Sequence, residues 1–332
     1  MASEPTDIRA SLKVILAGRS LPIIRQTAAQ VITLLSNPNS SVETIAKTIL
    51  HDQAFTARAL NVANSAYYRR KSEKITNVSQ AIAMMGFNTL RDIGVAAEFA
   101  ELVQKRLPNS VNLRRLLAKA FVAGHQATTL GQAIRLPDAE GLFTSALLES
   151  VGEFALAAYL PTAFTKVNDT IKATSLPYEE AHLQATGMTS HEVTEIVVNT
   201  MALPEGLVLP PPAWDSQAQW TPSDRRQALV HLTNALATNL FGQESPEIVS
   251  QFNTLMDRTV TATGLPIDRV ETLLSEAFHK ASEFGRNVEL EPECFSLDGT
   301  TSPLSRRHGF IGMCIELADR KTGTENVAGP LF

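Results

Sequence analysis

Helix-start and helix-stop signals recur along most of this 332-residue chain, and few stretches alternate between apolar and polar residues as a strand does. Thr189 and Glu192 have the spacing of a capping box at the start of a helix. Pro246 is placed to open a helix that Gly264 ends. Gly86 is predicted to end another helix. This pattern predicts an all-α protein.

The composition is ordinary for a soluble globular protein, at 44% hydrophobic and 19% charged residues. The formal net charge of -5 gives no general reason to expect a nucleic-acid-binding protein. Cys294 and Cys314 are the only cysteines, which excludes a disulfide framework and fits a reducing compartment. The chain start lacks a signal-peptide pattern, and no apolar run approaches the roughly 20 residues that span a bilayer. A cytoplasmic location is therefore expected.

The clearest boundary is a linker rich in proline that also contains Trp214 and Trp220. After it, helices are predicted with a glycine at the end of each, the last of them ending at Gly285. The chain beyond is rich in Gly, Pro, Thr and Ser and is expected to be irregular. The predicted units are an N-terminal helix in 1–20, a main domain in 21–209, the linker 210–222, a C-terminal helical segment in 223–290 and a tail in 291–332.

Several short motifs resemble one bacterial family when they are taken in order. They are His51-Asp52-Gln53-Ala54-Phe55-Thr56, then Asn-Val-Ala-Asn-Ser-Ala-Tyr-Tyr at 61–68, then Ile-Thr-Asn-Val-Ser-Gln-Ala-Ile-Ala-Met-Met-Gly at 75–86, followed by Leu90-Arg91. This succession resembles the HDOD family, all-helical signalling domains related to the HD metal phosphohydrolases. The resemblance implies a multi-helical N-terminal bundle in 21–99 and a degenerate HD-like bundle in 100–209, with the C-terminal helices added to them.

The metal-binding motif of the catalytic relatives is altered in this sequence. A Leu-Leu-His-Asp-Ile-Gly segment in the family matches Leu-Leu-Glu-Ser-Val-Gly at 147–152, so that Glu149 and Ser150 replace the His and Asp. A second His would fall at Ser190, next to His191, and a first one near Lys119. HD-type hydrolysis needs several His and Asp ligands around a metal. The resemblance therefore implies no catalytic metal site, no cofactor and no enzymatic activity.

A small polar pocket for a ligand is predicted where the metal site would have been. The alternative for Glu149 and Ser150 is an acid and a cap at a helix end, and the alternative for His125 is a buried, hydrogen-bonded side chain. The candidate pocket residues are His125, Glu149, Ser150, Glu153, Ser190 and His191.

A second candidate surface joins aromatic and basic side chains in one connection between helices. Such a cluster is able to stack bases or hold phosphates. The alternative is a solvated loop whose tyrosine rings pack inward. The cluster consists of Tyr67, Tyr68, Arg69, Arg70 and Lys71.

The resemblance implies a non-catalytic regulatory module of bacterial signal transduction that acts by binding a protein or a small ligand. One alternative is a divergent metal-dependent phosphohydrolase that uses Glu149, His125 and His191. A second alternative is a nucleic-acid-binding regulator that uses the basic cluster at 69–71. The identity of the partner or ligand does not follow from the sequence.

Overall fold

The computed structural model describes residues 8–18, 30–31, 33–34, 37, 39–50, 53–64, 75–101, 111–174, 176, 178–200, 206–214, 220–242, 246–288 and 290–297. No strand occurs among these residues, and the all-α class is confirmed. The α-helices are α1 (Ile8–Gly18), α2 (Val42–Leu50), α3 (Gln53–Ala63), α4 (Val78–Glu101), α5 (Val111–Ala133), α6 (Gly141–Glu149), α7 (Val151–Tyr159), α8 (Pro161–Thr174), α9 (Tyr178–Thr186), α10 (Ser190–Asn199), α11 (Pro222–Phe241), α12 (Pro246–Thr263) and α13 (Ile267–Asn287).

Helix α5 is the centre of the molecule. Its small and apolar residues occupy every side of the helix, as expected for a helix that is buried all round. It packs against α6, α11 and α13, so the C-terminal helices share its core. Phe121 of α5, Phe143 of α6 and Phe284 of α13 form an aromatic cluster in which ring centroids lie 5.3–6.4 Å apart.

The N-terminal helices pack beside this core, with α3 against α4 and α4 against α6. Gly86 breaks α4, as predicted, because its φ of 81° is left-handed and favours glycine. Asn64 joins the two ends of the 65–74 connection: its Nδ2 donates to the carbonyl of Ile75, and its Oδ1 accepts from the backbone N–H of Ile75, both at 2.8 Å.

The prediction that Gly285 ends the last helix is wrong, since α13 continues to Asn287. A Cβ at Gly285 would lie 2.6 Å from the ring of Phe295, so the glycine permits close packing instead. Phe295 belongs to a short 3-10 helix, Pro292–Phe295, that folds back onto α5. Residues 298–332 of the predicted tail lie outside the described residues.

Helices α6 and α7 form one apolar stretch, 141–159, with a mean hydropathy of 1.2. By length and composition alone, this stretch could cross a membrane. However, 83% of that stretch is buried inside the protein, and core helices of soluble proteins are buried in the same way. The hydrophobicity of these helices is therefore explained by their place in the core.

Candidate ligand-binding cleft

The junction between α6 and α7 is held against α10 by one hydroxyl group. Thr194 Oγ1 accepts a hydrogen bond from the backbone N–H of Gly152 at 3.3 Å and donates to the carbonyl of Glu149 at 2.9 Å. A Cβ at Gly152 would lie 2.8 Å from the Thr194 backbone nitrogen, so only glycine allows this approach. The contact places Glu149, the last residue of α6, beside His191, one turn before Thr194.

Glu149 is the centre of a cluster with two histidines. His191 Nδ1 donates to Glu149 Oε1 at 2.9 Å, and His231 Nδ1 lies 3.7 Å from the same oxygen. The rings of His191 and His231 are 5.6 Å apart. Burial lowers the pKa of His191, but the hydrogen bond and charge of Glu149, with the charges of Glu195 and Glu179, outweigh it and leave the pKa raised.

His231 was not among the sequence-predicted site residues. It lies on α11, outside the motifs that carry the family resemblance, and it comes close to Glu149 only through the packing of α11 on α6. Its Nε2 contacts the carbonyl of Leu209 at 3.0 Å. Because a carbonyl can only accept, this Nε2 carries the proton. No local sequence signal indicated this placement.

A buried ion pair occupies the neighbouring part of the site. Lys119 Nζ of α5 lies 2.8 Å from Glu153 Oε2, and the two side chains are only 11% and 10% exposed. Tyr178 donates its hydroxyl to the other oxygen of Glu153. Lys119 also lies 5.4 Å from the centroid of the Tyr178 ring, at cation–π distance. Both carboxylate oxygens of Glu153 are thereby engaged within the protein.

The two serines at the altered motif are engaged as well. Ser150 Oγ donates to Asn234 Oδ1 at 3.5 Å, a long hydrogen bond. Ser190 Oγ and the Ser190 backbone N–H both donate to the carboxylate of Glu179, the latter at 2.9 Å. The Thr189–Glu192 capping box that starts α10 is confirmed.

These side chains line a cleft of about 630 Å³ between the predicted HD-like bundle and the C-terminal helices. Pro211, Pro212 and Trp214 of the linker form a further wall with helix α12, where the Arg258 guanidinium lies 4.9 Å from the Trp214 ring centroid. Ligand pockets of proteins are typically about 300–1,000 Å³. The cleft is thus large enough for a small metabolite.

The structure brings together every predicted pocket residue except His125. Glu149, Ser150, Glu153, Ser190 and His191 all line the cleft.

The predicted place of His125 in the pocket has to be corrected, because this residue lies in the aromatic cluster. Its ring centroid is 4.9 Å from that of Phe143 and 5.2 Å from that of Phe284. Burial, with the charge of Lys280 as a smaller cause, lowers its pKa to about 3. The predicted interaction surface Tyr67, Tyr68, Arg69, Arg70 and Lys71 lies outside the described residues.

The metal of the HD phosphohydrolases does not fit the residues at the motif positions. Lys119 places an ammonium group near the position of the first histidine, and its partner is Glu153. Ser150 and Ser190 supply hydroxyls that already hydrogen-bond to protein groups. Among the ligands expected there, only the Glu149 carboxylate suits a metal. No catalytic step is therefore derived through a metal at the motif positions.

Comparison with known proteins identifies the fold and the family. A structure of an HDOD domain protein with unknown function from Geobacter sulfurreducens has a TM-score of 0.64 at 17% identity, covering 86% of this chain and 99% of the other. A Shewanella amazonensis protein with the provisional name of phosphohydrolase has a TM-score of 0.63 at 16% identity, over 84% and 98%.

A Marinobacter aquaeolei protein with the provisional name of signal transduction protein has a TM-score of 0.55 at 14% identity, covering 80% of this chain and 59% of the other. No curated protein sequence matches the chain. The sequence model of the HDOD domain matches residues 21–211, more than half of the chain. This protein is therefore a member of the HDOD family.

Proposed function

We propose that this protein is a non-catalytic regulatory module of bacterial signal transduction, located in the cytoplasm, that responds to a small ligand or a protein partner. The cleft is the proposed ligand site. Family membership and the solved neighbour named for signal transduction support the regulatory role. The size of the cleft, about 630 Å³, supports a small ligand.

One observation carries the non-catalytic part of the proposal: Ser150 and Ser190, at positions of HD metal ligands, and Lys119, near a third, bind protein groups through hydrogen bonds. A buried ammonium–carboxylate pair supplies at this place the charge balance that a metal and its ligands supply in an HD enzyme. Displacing Lys119 from Glu153 would leave an uncompensated buried charge. Lys119 and Glu153 therefore need no metal ion to balance their charges.

The position of the cleft suggests how binding is transmitted. Its walls come from the helices around the altered motif, from the linker segment and from α11 and α12. A ligand that contacts these parts together favours the arrangement in which they are packed most closely, and thereby shifts the population of conformations. The changed packing is what a partner protein would recognise.

A phosphodiesterase assay tests the non-catalytic proposal. The purified full chain is incubated with bis(p-nitrophenyl) phosphate and with cyclic and linear dinucleotides, in the presence of Mg²⁺, Mn²⁺ or Zn²⁺. We expect no hydrolysis above that of a reaction without protein. Metal-dependent turnover by the wild-type protein that is lost in Glu149→Ala would overturn the proposal.

The second candidate function is a divergent metal-dependent phosphohydrolase. The specific observation in its favour is the 2.9 Å contact between Glu149 and His191, two residues that this alternative requires. His125, its third residue, lies in the aromatic cluster and has no part in the cleft. The same assay separates the two functions.

A further inference from the structure

Glu149 has an unusual environment for a carboxylate. Its side chain is only 8% exposed, and Oε2 is buried without a hydrogen-bond partner. A buried, unpaired carboxylate oxygen is costly, because it has lost its water and gained no donor. The side chain lies on the cleft wall, so a ligand of positive charge would satisfy this oxygen.

His231 places its Nδ1 beside the same carboxylate. Its Nε2 proton is held by the carbonyl of Leu209, so the neutral ring carries its lone pair on Nδ1. That nitrogen lies 3.7 Å from Glu149 Oε1. When the ring is neutral, Nδ1 and Glu149 Oε1 are two acceptors at this distance, and a cation between them would bind to both. The carbonyl contact also resembles the outer hydrogen bond that orients a metal-ligating histidine.

His191 completes a set of three donors. Its Nδ1 lies 2.9 Å from Glu149 Oε1, and its Nε2 lies 3.6 Å from Glu195 Oε1. One ligand atom from each of Glu149, His191 and His231 lies within 4.8 Å of the others. Donors that are bound tetrahedrally at 2.0–2.2 Å lie about 3.4 Å apart. Small side-chain rotations would therefore close the site around one ion.

We propose that this protein binds one divalent transition-metal ion of the Zn²⁺ type through Glu149, His191 and His231, and that this ion is a ligand to which the regulatory module responds. The inference rests on the proposed regulatory function of the cleft. Glu149 occupies a position of the altered metal motif, but His191 and His231 lie outside it, so the ligand set differs from that of the family. On binding, the Nδ1 proton of His191 is released to solvent and the nitrogen lone pair coordinates the ion.

The donor set selects the class of metal. Two imidazoles and one carboxylate suit Zn²⁺, Co²⁺, Ni²⁺ or Fe²⁺, whereas Mg²⁺ and Ca²⁺ prefer oxygen ligands. Three protein ligands leave at least one coordination position, which faces the cleft. Water or an acidic group of a second ligand would occupy it.

The ligands come from different elements, which gives the ion a structural effect. Glu149 ends α6, His191 lies on α10, and His231 on α11 is hydrogen-bonded to Leu209, which directly precedes the linker. An ion that joins them holds α11, and with it the chain at Leu209, against the helices around the altered motif. Metal binding is thus expected to raise the melting temperature of the full chain.

Metal titration of the full-length protein tests the proposal. The protein is stripped with a chelator and titrated with Co²⁺, followed by its visible absorption, and with Zn²⁺ in competition with a chromophoric chelator. We expect one equivalent of each metal, and affinity at least about tenfold weaker in each of Glu149→Gln, His191→Gln and His231→Gln. Glu195→Gln, which alters only the group next to His191, should weaken binding less.

His279→Gln is the matched control, since His279 and Glu283 repeat the i,i+4 spacing of His191 and Glu195 outside the cleft. It should bind metal as the wild type does. Circular dichroism of every metal-free variant checks folding, and if one histidine variant unfolds, Glu149→Gln decides. A wild-type protein without stoichiometric binding, or three ligand variants that bind normally, would overturn the metal site.

The two proposals fail in different ways. If the metal-loaded protein hydrolyses phosphodiesters, the non-catalytic function is wrong while the ion site stands. If no metal binds and no hydrolysis occurs, the metal inference is wrong, and the cleft remains the candidate site for an organic ligand.

Discussion

A buried carboxyl group connects the N-terminal helices to the central core. Asp92 of α4 accepts a hydrogen bond from Thr144 of α6, and Arg91 Nε donates to the same threonine at 3.1 Å. Burial raises the pKa of Asp92 to about 7, although the charge of Arg91 and the Thr144 hydrogen bond act in the opposite direction. The folded protein therefore holds a proton there that the unfolded chain releases near pH 3.8.

We predict a pH-dependent loss of stability from this residue. A raised pKa means that the contribution is fully present below the unfolded value near 3.8 and is lost as the pH rises through about 7. Between pH 5 and 8 the free energy of unfolding should fall by about 3 kcal/mol through Asp92. Urea denaturation of the wild type and Asp92→Asn across this range measures the difference. The variant should have a flatter profile, and Asp257→Asn, on the surface of α12, should follow the wild type. Equal slopes in Asp92→Asn and the wild type would contradict the assignment.

The pair of Lys119 and Glu153 makes the second prediction at the residue scale. Lys119→Met should lower the free energy of unfolding by about 3 kcal/mol, because it leaves Glu153 as a buried charge without its partner. Glu153→Gln keeps an acceptor for Tyr178 but removes that charge. The double variant should therefore recover part of the loss, as chemical denaturation in a double-mutant cycle would show. Additive effects of the two changes would mean that the pair is not coupled.

At the scale of elements, caps and glycines decide where helices begin, end and approach one another. The capping box at Thr189 was predicted from the sequence, and a second one, Thr221 with Asp224, starts α11 at Pro222, the last residue of the predicted linker. Gly86 and Gly264 adopt left-handed φ angles, as expected of chain-breaking glycines. Gly285 does not, because its role is to admit a ring from a residue further along the chain. A glycine in a sequence thus indicates a special position but not which kind.

Gly152→Ala tests the contact that forms the cleft wall. Helix propensity favours alanine by up to about 1 kcal/mol. The added Cβ would nevertheless lie 2.8 Å from the backbone nitrogen and hydroxyl of Thr194, and such overpacking typically costs about 1–3 kcal/mol. We expect a net lower melting temperature and a weaker contact between Glu149 and His191. The Thr194→Ser background should not rescue the variant, since the backbone nitrogen remains. An unchanged or raised melting temperature would show that α7 can move without cost.

At the scale of the whole molecule, the helices beyond the family match belong to the same core. The apolar face of α13, with Val270, Leu274 and Phe278, is buried, and it packs on α5 together with α11. A chain that stops at residue 211 would leave one side of α5 exposed to water.

We predict that such a truncated chain does not fold cooperatively. It should bind the dye ANS, lose its near-UV circular dichroism and keep much of its helical far-UV signal, as compact states without fixed packing do. The full chain, prepared in parallel, is the control. A sharp thermal transition of the truncated chain would show that the matched region is stable alone.

The sequence by itself determined the all-α class, several helix starts and ends, the family, and the replacement of the metal motif at Glu149 and Ser150. These features are local, because a cap, a left-handed glycine or a motif involves residues a few positions apart. Only the tertiary structure placed His231 beside Glu149, paired Lys119 with Glu153 and removed His125 from the site. Each of these outcomes depends on helices distant in the chain that pack to bury their apolar faces, and short-range spacing does not encode which side chains then meet.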